Sequence, residues 1–323
     1  GVTRDAGEPR PATVADRVLW VSLAACGSVV LLAITNQLCQ DVAVFPFLWI
    51  LPLSLYLVTF IIAFDRDAWY LRIVWLPALA VSLGLAVHLM YEEFTAETST
   101  LLYQVFVYSF ALFACCMVCH GELARSRSAA RELTTFYLYV ALGGALGGVF
   151  VNLVAPAAFD GYWELHVGFV ATVLLVGVCV ARDAAWMEKI GGRGLFAAVW
   201  ALPVIALSAL LVTQIQGGRE NSIHVSRGFF GVLYVDEFDP GGPRHERHLY
   251  HGKIRHGLQR MIGPMERRPT AYYGVDSGAG VAIRQHPKRS GDTASPLNIG
   301  VVGMGIGTLS TYGLPGDSLR YYE

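Results

Sequence analysis

Long apolar stretches separated by short polar segments make up most of the first two thirds of the chain. Each is roughly 17 to 22 residues long, enough for a helix to span about 30 Å of hydrocarbon at 1.5 Å per residue. Most lack the polar face that a surface helix of a soluble protein would show. The pattern predicts seven transmembrane helices, at 18–38, 45–64, 73–90, 101–119, 136–157, 165–181 and 195–215.

The C-terminal third has a different pattern. Residues 221–262 contain β-branched and aromatic residues in partial alternation with polar ones, and a DPGGPR turn, which predicts a small antiparallel β-domain. A short apolar strand then runs into Gly303, Gly305 and Gly307, and a second strand closes on Glu323. We therefore divide the chain into a linker (1–17), a transmembrane helical domain (18–216), a β-domain (221–262) and the first part of an α/β domain (263–323).

The glycine-rich stretch carries the clearest chemical signal. Glycines at a strand end let the backbone approach a ligand where a side chain would collide, and a following helix offers free N–H groups. Glu323, at the tip of the second strand, is placed to bind the two hydroxyls of a ribose. The segment predicts the opening of a nucleotide-binding βαβ unit. Because such a sheet needs several more strands, we expect the chain to be a fragment of a longer protein.

Composition supports a membrane protein with a soluble part. The sequence is 54% hydrophobic and only 15% charged, with a mean hydropathy of +0.47, which is too apolar for a soluble globule. A net charge of -1 and the absence of a long basic run give no indication of nucleic acid as a partner. The six cysteines lie at or near apolar segments, which argues against a secreted disulfide framework. The expected partner is the lipid bilayer.

Basic residues lie only in alternate segments between the predicted helices. By the positive-inside rule, the N-terminal linker is then cytoplasmic. Seven crossings would place the C-terminal domain outside, where nucleotide cofactors are scarce, so either that domain is exported or one apolar stretch does not cross. The basic residues that set this orientation are Arg4, Arg10, Arg17, Arg66, Arg72, Arg125, Arg127, Arg131, Arg182, Lys189 and Arg193.

Polar residues near the membrane segments allow two interpretations. Asn36, Gln37, Gln40 and Asp41 cluster at the end of the first stretch, where they form either a site or, as we favour, a polar helix end at the interface. Isolated polar residues within the apolar stretches are expected to make interhelical hydrogen bonds. These residues are His88, Gln104 and Asn152. The small-xxx-small pairs of Gly143, Gly144, Gly147 and Gly148 predict close helix packing.

The run CMVCH matches the attachment pattern of c-type haem through Cys116, Cys119 and His120. It ends an apolar stretch on the side predicted to be cytoplasmic, whereas haem c is attached outside, so we favour a chance match. Gly121 and Glu122, which follow, are predicted to begin a basic loop.

Two features of the C-terminal third also have alternative readings. The histidines of the predicted hairpin are loosely spaced and lack cysteine or paired carboxylates, so we favour solvated side chains over a zinc site. They are His245, His248, His251 and His256. Further on, Asp276 either lines a pocket beside the cofactor or, with Ser277 as the other candidate, caps a helix.

Several runs of residues, in the same order, resemble the membrane-fused spermidine synthase-like proteins of bacteria. In the C-terminal third they are RGFFGVLYV, LYHGKIRHGLQ, PTAYYGVDSGAGVAI, VVGMGIGTLSTYGLPGD and YYE. In the helical part they are TNQLCQDVAVFPFLWILPLSLYLVTFI, CCMVCHGELA and LGGALGGVFVNLVAPAAFDGYWE. The resemblance implies a multi-pass protein of the bacterial inner membrane, with the first part of a Rossmann-like, methyltransferase-type domain.

The resemblance also implies a chemistry. An aminopropyltransferase-like domain would bind decarboxylated S-adenosylmethionine, or a related sulfonium nucleotide, as co-substrate and would need no metal. Gly303, Gly305 and Gly307 match the cofactor loop of this family, Glu323 matches the ribose-binding acid, and Gln259 matches the glutamine that ends the strand before the core. The catalytic aspartate of the family would lie beyond Glu323.

The chain departs from the family where the amine substrate would bind. Soluble synthases have a histidine where this chain has Tyr273, and an aspartate in the glycine loop where it has Ile306. Tyr273 and Asp276 are the expected substrate contacts. Ile306, in contrast, cannot hold an ammonium group as an aspartate would. We therefore expect sulfonium-nucleotide binding more firmly than polyamine synthesis.

Two functions remain open at this point. One is a membrane-bound transferase that moves an aminopropyl or other group from a sulfonium nucleotide to a small amine, with a homo-oligomer formed through the β-domain. The alternative is a membrane transporter or sensor whose C-terminal domain binds a nucleotide or polyamine without turnover.

Overall fold

The chain forms two compact units, Gly1–Gly218 and Arg219–Glu323. A computed structural model describes residues 12–42, 47–92, 99–127, 132–228, 231–252, 254–289 and 295–322, with only the backbone described at 40–42.

The first unit is helical. A capping box begins the first helix, because the Thr13 hydroxyl accepts from the backbone N–H of Asp16, whose carboxylate accepts from Thr13 in return. Helix α1 continues into a π-helical turn, Gln37–Val42, and α5 into another, Phe150–Val154. The helices are α1 Val14–Asn36, α2 Ile50–Asp65, α3 Arg72–Glu92, α4 Leu101–Arg125, α5 Leu133–Val149, α6 Ala155–Ala158, α7 Glu164–Arg182, α8 Ala184–Ile190 and α9 Arg193–Gly217.

Six helical segments in the described residues are long and apolar enough to cross a membrane. They are Val14–Cys39, Arg72–Glu92, Leu101–Arg125, Leu133–Ala158, Glu164–Arg182 and Arg193–Gly217. This supports the prediction of a multi-pass membrane protein. The predicted second span is represented by α2, which has 16 described residues and is therefore shorter than the other six.

Contacts between helix ends show the direction in which each helix runs. At one end of the unit, which we call the basic end, Arg182 of α7 pairs with Asp16 of α1. At the opposite end, Tyr91 of α3 donates to the carbonyl oxygen of Leu210 in α9 at 2.6 Å. There, too, the start of α7 meets the end of α9, through a 2.8 Å contact between His166 Nε2 and Gln214 Oε1. Helix α9 therefore ends opposite the basic end.

Helix α2 runs antiparallel to α1 along most of its length. Phe64, near the end of α2, packs in the apolar cluster that contains Trp20, near the start of α1. Tyr56, two turns earlier, lies beside Gly27, farther along α1. Helix α2 therefore runs toward the basic end, and α1, α2, α3, α4, α5, α7 and α9 alternate in direction.

Glycines allow α5 to approach α1 closely. A Cβ built on Gly143 would lie 2.4 Å from the carbonyl oxygen of Val21, and one on Gly147 would lie 2.5 Å from that of Ala25. A Cβ on Gly148 would meet nothing within 4 Å. The predicted role of this glycine stretch in packing is confirmed, and Gly143 and Gly147 are the residues that provide it.

Three sequence predictions for the helical unit were wrong. The Asn152 amide donates to the Gly148 carbonyl oxygen of its own helix, at 2.8 Å, and Gln104 donates to Ser99 five residues away. These polar groups are satisfied locally rather than between helices.

Gly121 and Glu122 do not begin a loop, because they lie within α4 and are buried. The side chains of Gln40 and Asp41 lie outside the described residues.

The second unit contains two sheets. Strands β1 Ser222–Gly228, β2 Gly231–Phe238, β3 Glu246–His251 and β4 Ile254–Arg260 form an antiparallel meander in the order β1-β2-β3-β4. This confirms the predicted small antiparallel sheet. Strands β5 Asn298–Val302 and β6 Ser318–Tyr322 pair in parallel, and a short helix, α10 Gly278–Arg284, precedes them.

The connection between β5 and β6 differs from the predicted α-helix. A five-residue 3-10 helix, Thr308–Tyr312, follows the glycine stretch. Two parallel strands with a helical connection are compatible with the start of an α/β unit, but they do not define a Rossmann-like domain. The assignment of this region to a Rossmann-like domain remains a proposal.

The alternating helices predict that Gly192, before α9, and Gln216, near its end, face opposite sides of the membrane. Because the basic end is expected in the cytoplasm, green fluorescent protein fused after Gly192 should fluoresce, and alkaline phosphatase fused after Gln216 should be active. The reciprocal fusions are the controls. Equal reporter behaviour at both positions would show that α9 does not cross.

The glycine contacts predict a packing defect for Gly147→Ala. Its methyl group would collide with the α1 backbone, so the variant should lose about 1–3 kcal/mol of stability in detergent unfolding experiments. Gly148→Ala is the matched control, because its methyl group meets open space. Equal stability of the two variants would contradict the packing role.

Candidate functional site: a cleft in the C-terminal unit

The loop after β5 depends on glycine for its backbone conformation. Gly303, Gly305 and Gly307 have φ values of 81°, 56° and 69°, in the left-handed region that side chains disfavour. The N–H of Gly303 donates to the Tyr322 carbonyl oxygen at 2.8 Å, which joins the loop to the end of β6. A Cβ on Gly303 or Gly305 would meet nothing within 4 Å, so the backbone there is open to a ligand.

A cleft with a cavity volume of about 350 Å³ lies where this loop faces the antiparallel sheet. Its walls combine apolar side chains with a ring of polar and charged groups. The lining residues are Val235, Arg247, His248, Leu249, Leu258, Gln259, Glu266, Arg268, Thr270, Ile306, Gly307, Thr308 and Thr311.

An apolar contact packs the loop against β4. Ile306 lies directly over Gly257, where an added Cβ would approach its Cδ1 to 2.5 Å. A methyl group at position 257 would force the isoleucine side chain to shift. Ile306 therefore packs the loop onto the sheet as an apolar side chain.

The second wall of the cleft follows β4. The Gln259 amide donates to the backbone carbonyl oxygen of Glu266 at 3.2 Å, and the Thr270 hydroxyl donates to that of Leu258. These two bonds fold the segment after β4 back along the strand. Gln259 thus positions the cleft wall, and its side-chain oxygen has no hydrogen-bond donor among the described residues.

Two carboxylates beside the cleft are already paired. Glu237 accepts from His245 and Arg247, and these hydrogen bonds lower the pKa of its carboxyl group. Glu246 accepts from His248 at 3.0 Å and pairs with Arg260 at 3.3 Å, which lowers its pKa in the same way. Both are thus ionised at neutral pH.

The predicted site residues divide into two groups. Gln259 and Gly307 line the cleft, whereas Gly303 and Gly305 shape the loop beside it without lining it. Glu323 lies outside the described residues.

Neither predicted substrate residue lines the cleft. The Tyr273 backbone carbonyl oxygen accepts from the Tyr312 hydroxyl at 2.6 Å, and the Asp276 side chain is exposed. Of the two candidate caps, Ser277 is the one that caps α10, because its hydroxyl accepts from Gly280 N at 3.1 Å.

Asp317 organises the parallel strands and was not predicted. One of its oxygens accepts from Leu297 N and the other from Leu314 N, both at 2.7 Å, and Arg289 pairs with it at 2.6 Å. The carboxylate thereby joins the starts of β5 and β6. Its position after a Pro-Gly turn was the available signal, since aspartate often bonds to backbone N–H groups near turns.

Metal binding finds no geometric support in the described part of the chain, which contains no group of three or more histidine, cysteine, aspartate or glutamate side chains arranged to hold an ion. His245 and His248 contact carboxylates instead. Cys116, Cys119 and His120 are buried within α4.

The helical unit contains a buried ion pair that the sequence analysis missed. Arg72 binds Glu122 in a bidentate manner, with Nε–Oε1 and Nη2–Oε2 distances of 2.6 and 2.7 Å, and both side chains are under 5% exposed. Arg72 Nη1 also donates to Asp183 at 2.8 Å, and the Tyr70 hydroxyl donates to Glu122 at 2.8 Å. The group joins α3, α4 and the start of α8 at the basic end.

Comparisons with known protein families, with curated proteins and with solved structures find no match for this chain.

The buried pair predicts a large stability loss for Arg72→Gln. Glu122 would remain buried without its cation, which costs about 3–5 kcal/mol in comparable cases. Detergent unfolding would measure the loss, and Arg66→Gln, which removes an exposed arginine at the same end, should cost about 0–1 kcal/mol. A double variant, Arg72→Met with Glu122→Leu, should recover much of the loss. An Arg72→Gln protein as stable as Arg66→Gln would refute this.

Proposed function

We propose that the protein is a membrane-bound, spermidine synthase-like transferase whose C-terminal unit binds a sulfonium nucleotide, such as decarboxylated S-adenosylmethionine, in the cleft. The observation that carries the proposal is the meeting of Gln259 and Gly307 in one cavity. These residues lie 48 positions apart, and the resemblance had assigned both to the cofactor. The Rossmann-like assignment of residues 263–323 is part of the same proposal.

The walls of the cleft suit a nucleoside thioether in chemical terms. Val235, Leu249 and Leu258 offer apolar surface to a flat base and a thioether chain. Thr308 and Thr311, both within the 3-10 helix, offer hydroxyl groups. A sulfonium centre is already a good leaving group, so the protein needs mainly to align the two reactants and to supply a base. The acceptor amine would attack the carbon attached to sulfur and release methylthioadenosine.

The directions of the helices support a proposal for the membrane side of the cleft. Helix α9 ends opposite the basic end, and the positive-inside rule places the basic end in the cytoplasm. We propose that the C-terminal unit is exposed outside the cytoplasm of a bacterial inner membrane. The sulfonium nucleotide would then have to be supplied on that side.

A transporter or sensor is the second candidate. Buried charges within a membrane bundle are costly and often functional, and the Arg72–Glu122–Asp183 group is such a feature. Transfer of an aminopropyl group to an amine by the full-length protein would favour the enzyme, and binding without turnover would favour the second candidate.

The cleft predicts that the full-length protein binds methylthioadenosine and that Gly307→Val weakens this binding by more than about tenfold, because the new side chain enters the cleft. Isothermal titration calorimetry would measure both affinities. Glu323→Ala should also weaken binding more than about tenfold if that residue holds the ribose.

Gly241→Val is the control for backbone strain. Gly241 also has a positive φ, 76°, but lies in the β2–β3 turn away from the cleft. The Gly241→Val variant should bind methylthioadenosine with the affinity of the unaltered protein. Absence of methylthioadenosine binding, or equal effects of the two glycine variants, would remove the support for this function.

A further inference from the structure

The charged groups around the cleft suggest which class of second substrate it takes. A polyamine needs carboxylates, but among the described residues that line the cleft, Glu266 is the only one. The nearby Glu237 and Glu246 are occupied by histidine and arginine partners. The loop position at which soluble synthases have an aspartate is filled by Ile306, which packs on Gly257.

Cationic donors, in contrast, remain available. Arg268 lines the cleft, is exposed, and its guanidinium makes no ion pair with a described residue. Arg247 uses Nε to bind Glu237 at 2.8 Å, and its two Nη groups have no partner in the described part of the unit. Guanidinium groups bind carboxylates through paired, charge-assisted hydrogen bonds.

We propose that the acceptor substrate carries a carboxylate, held by Arg268 with help from Arg247, and is not a simple polyamine. The amine that attacks the sulfonium nucleotide would then belong to an amino acid-like molecule. Apolar residues beside these arginines, Leu249 and Leu258, would contact its carbon chain. This inference rests on the cleft being the substrate site of the proposed function.

Succinate and putrescine test the proposal, because they have the same four-carbon chain but opposite charges. Each would be titrated by calorimetry into the full-length protein in detergent, with and without saturating methylthioadenosine. Succinate should bind at least about tenfold more tightly than putrescine. Arg268→Gln should weaken succinate binding by about tenfold, since it removes a charge-assisted bond.

Arg267→Gln is the matched control, because this neighbouring exposed arginine does not line the cleft. It should leave the succinate affinity within about twofold of the unaltered protein, because solvent and salt screen an exposed charge that does not line the cleft. Tighter binding of putrescine, an unaffected Arg268→Gln, or equal losses in both variants would overturn the proposal. Failure of methylthioadenosine to bind would count separately against the nucleotide site, since succinate is also titrated alone.

Discussion

In hydrocarbon, each backbone N–H and C=O group needs a partner within the protein, and this constraint governs the first unit. A helix that crosses the membrane leaves it at the other side, so the number of crossings, odd or even, fixes the side on which the following segment begins. Helix α2 decides that parity. Its 16 described residues span about 24 Å at 1.5 Å per residue, and its contacts with Gly27 and the cluster around Trp20 extend along α1.

Lipid provides no hydrophobic driving force for helices to associate with one another. Two other kinds of contact hold the helices of this unit together. Gly143 and Gly147 bring the α5 backbone against α1, so that dispersion contacts are made over short distances. At the basic end, Arg72 and Glu122 neutralise each other. A bidentate pair fixes both position and orientation, so it specifies one register of α3 against α4 in addition to any stability that it contributes.

The sequence indicated the elements well where the signal is local. Apolar length predicted the long helices, alternation predicted the antiparallel sheet, and small residues at a spacing of four predicted close helix packing, which the structure shows between α5 and α1. The Arg72–Glu122 pair was missed because its members are 50 positions apart and both were assigned to loops. Asn152 was misjudged for the opposite reason. Its partner, Gly148, lies one turn away, and the residue type alone does not show whether an amide bonds along its helix or between helices.

The cleft shows the same limit at a candidate site. The sequence resemblance predicted one shared role for Gln259 and the glycine stretch, and the fold brings Gln259 and Gly307 to one cavity. The pairing of Ile306 with Gly257 could not be predicted from either residue, because neither is unusual until the fold brings the two into contact.

Once they are in contact, Ile306 serves as part of the scaffold. A carboxylate at that position would lie over the β4 backbone with an apolar contact removed, so recognition of charge has to come from other residues. In the described lining these are Glu266, Arg247, Arg268 and His248, and His248 already binds Glu246 and Tyr250. The apolar junction that closes the loop on the sheet thus leaves Glu266 and the two arginines as the lining groups that can select a ligand by its charge.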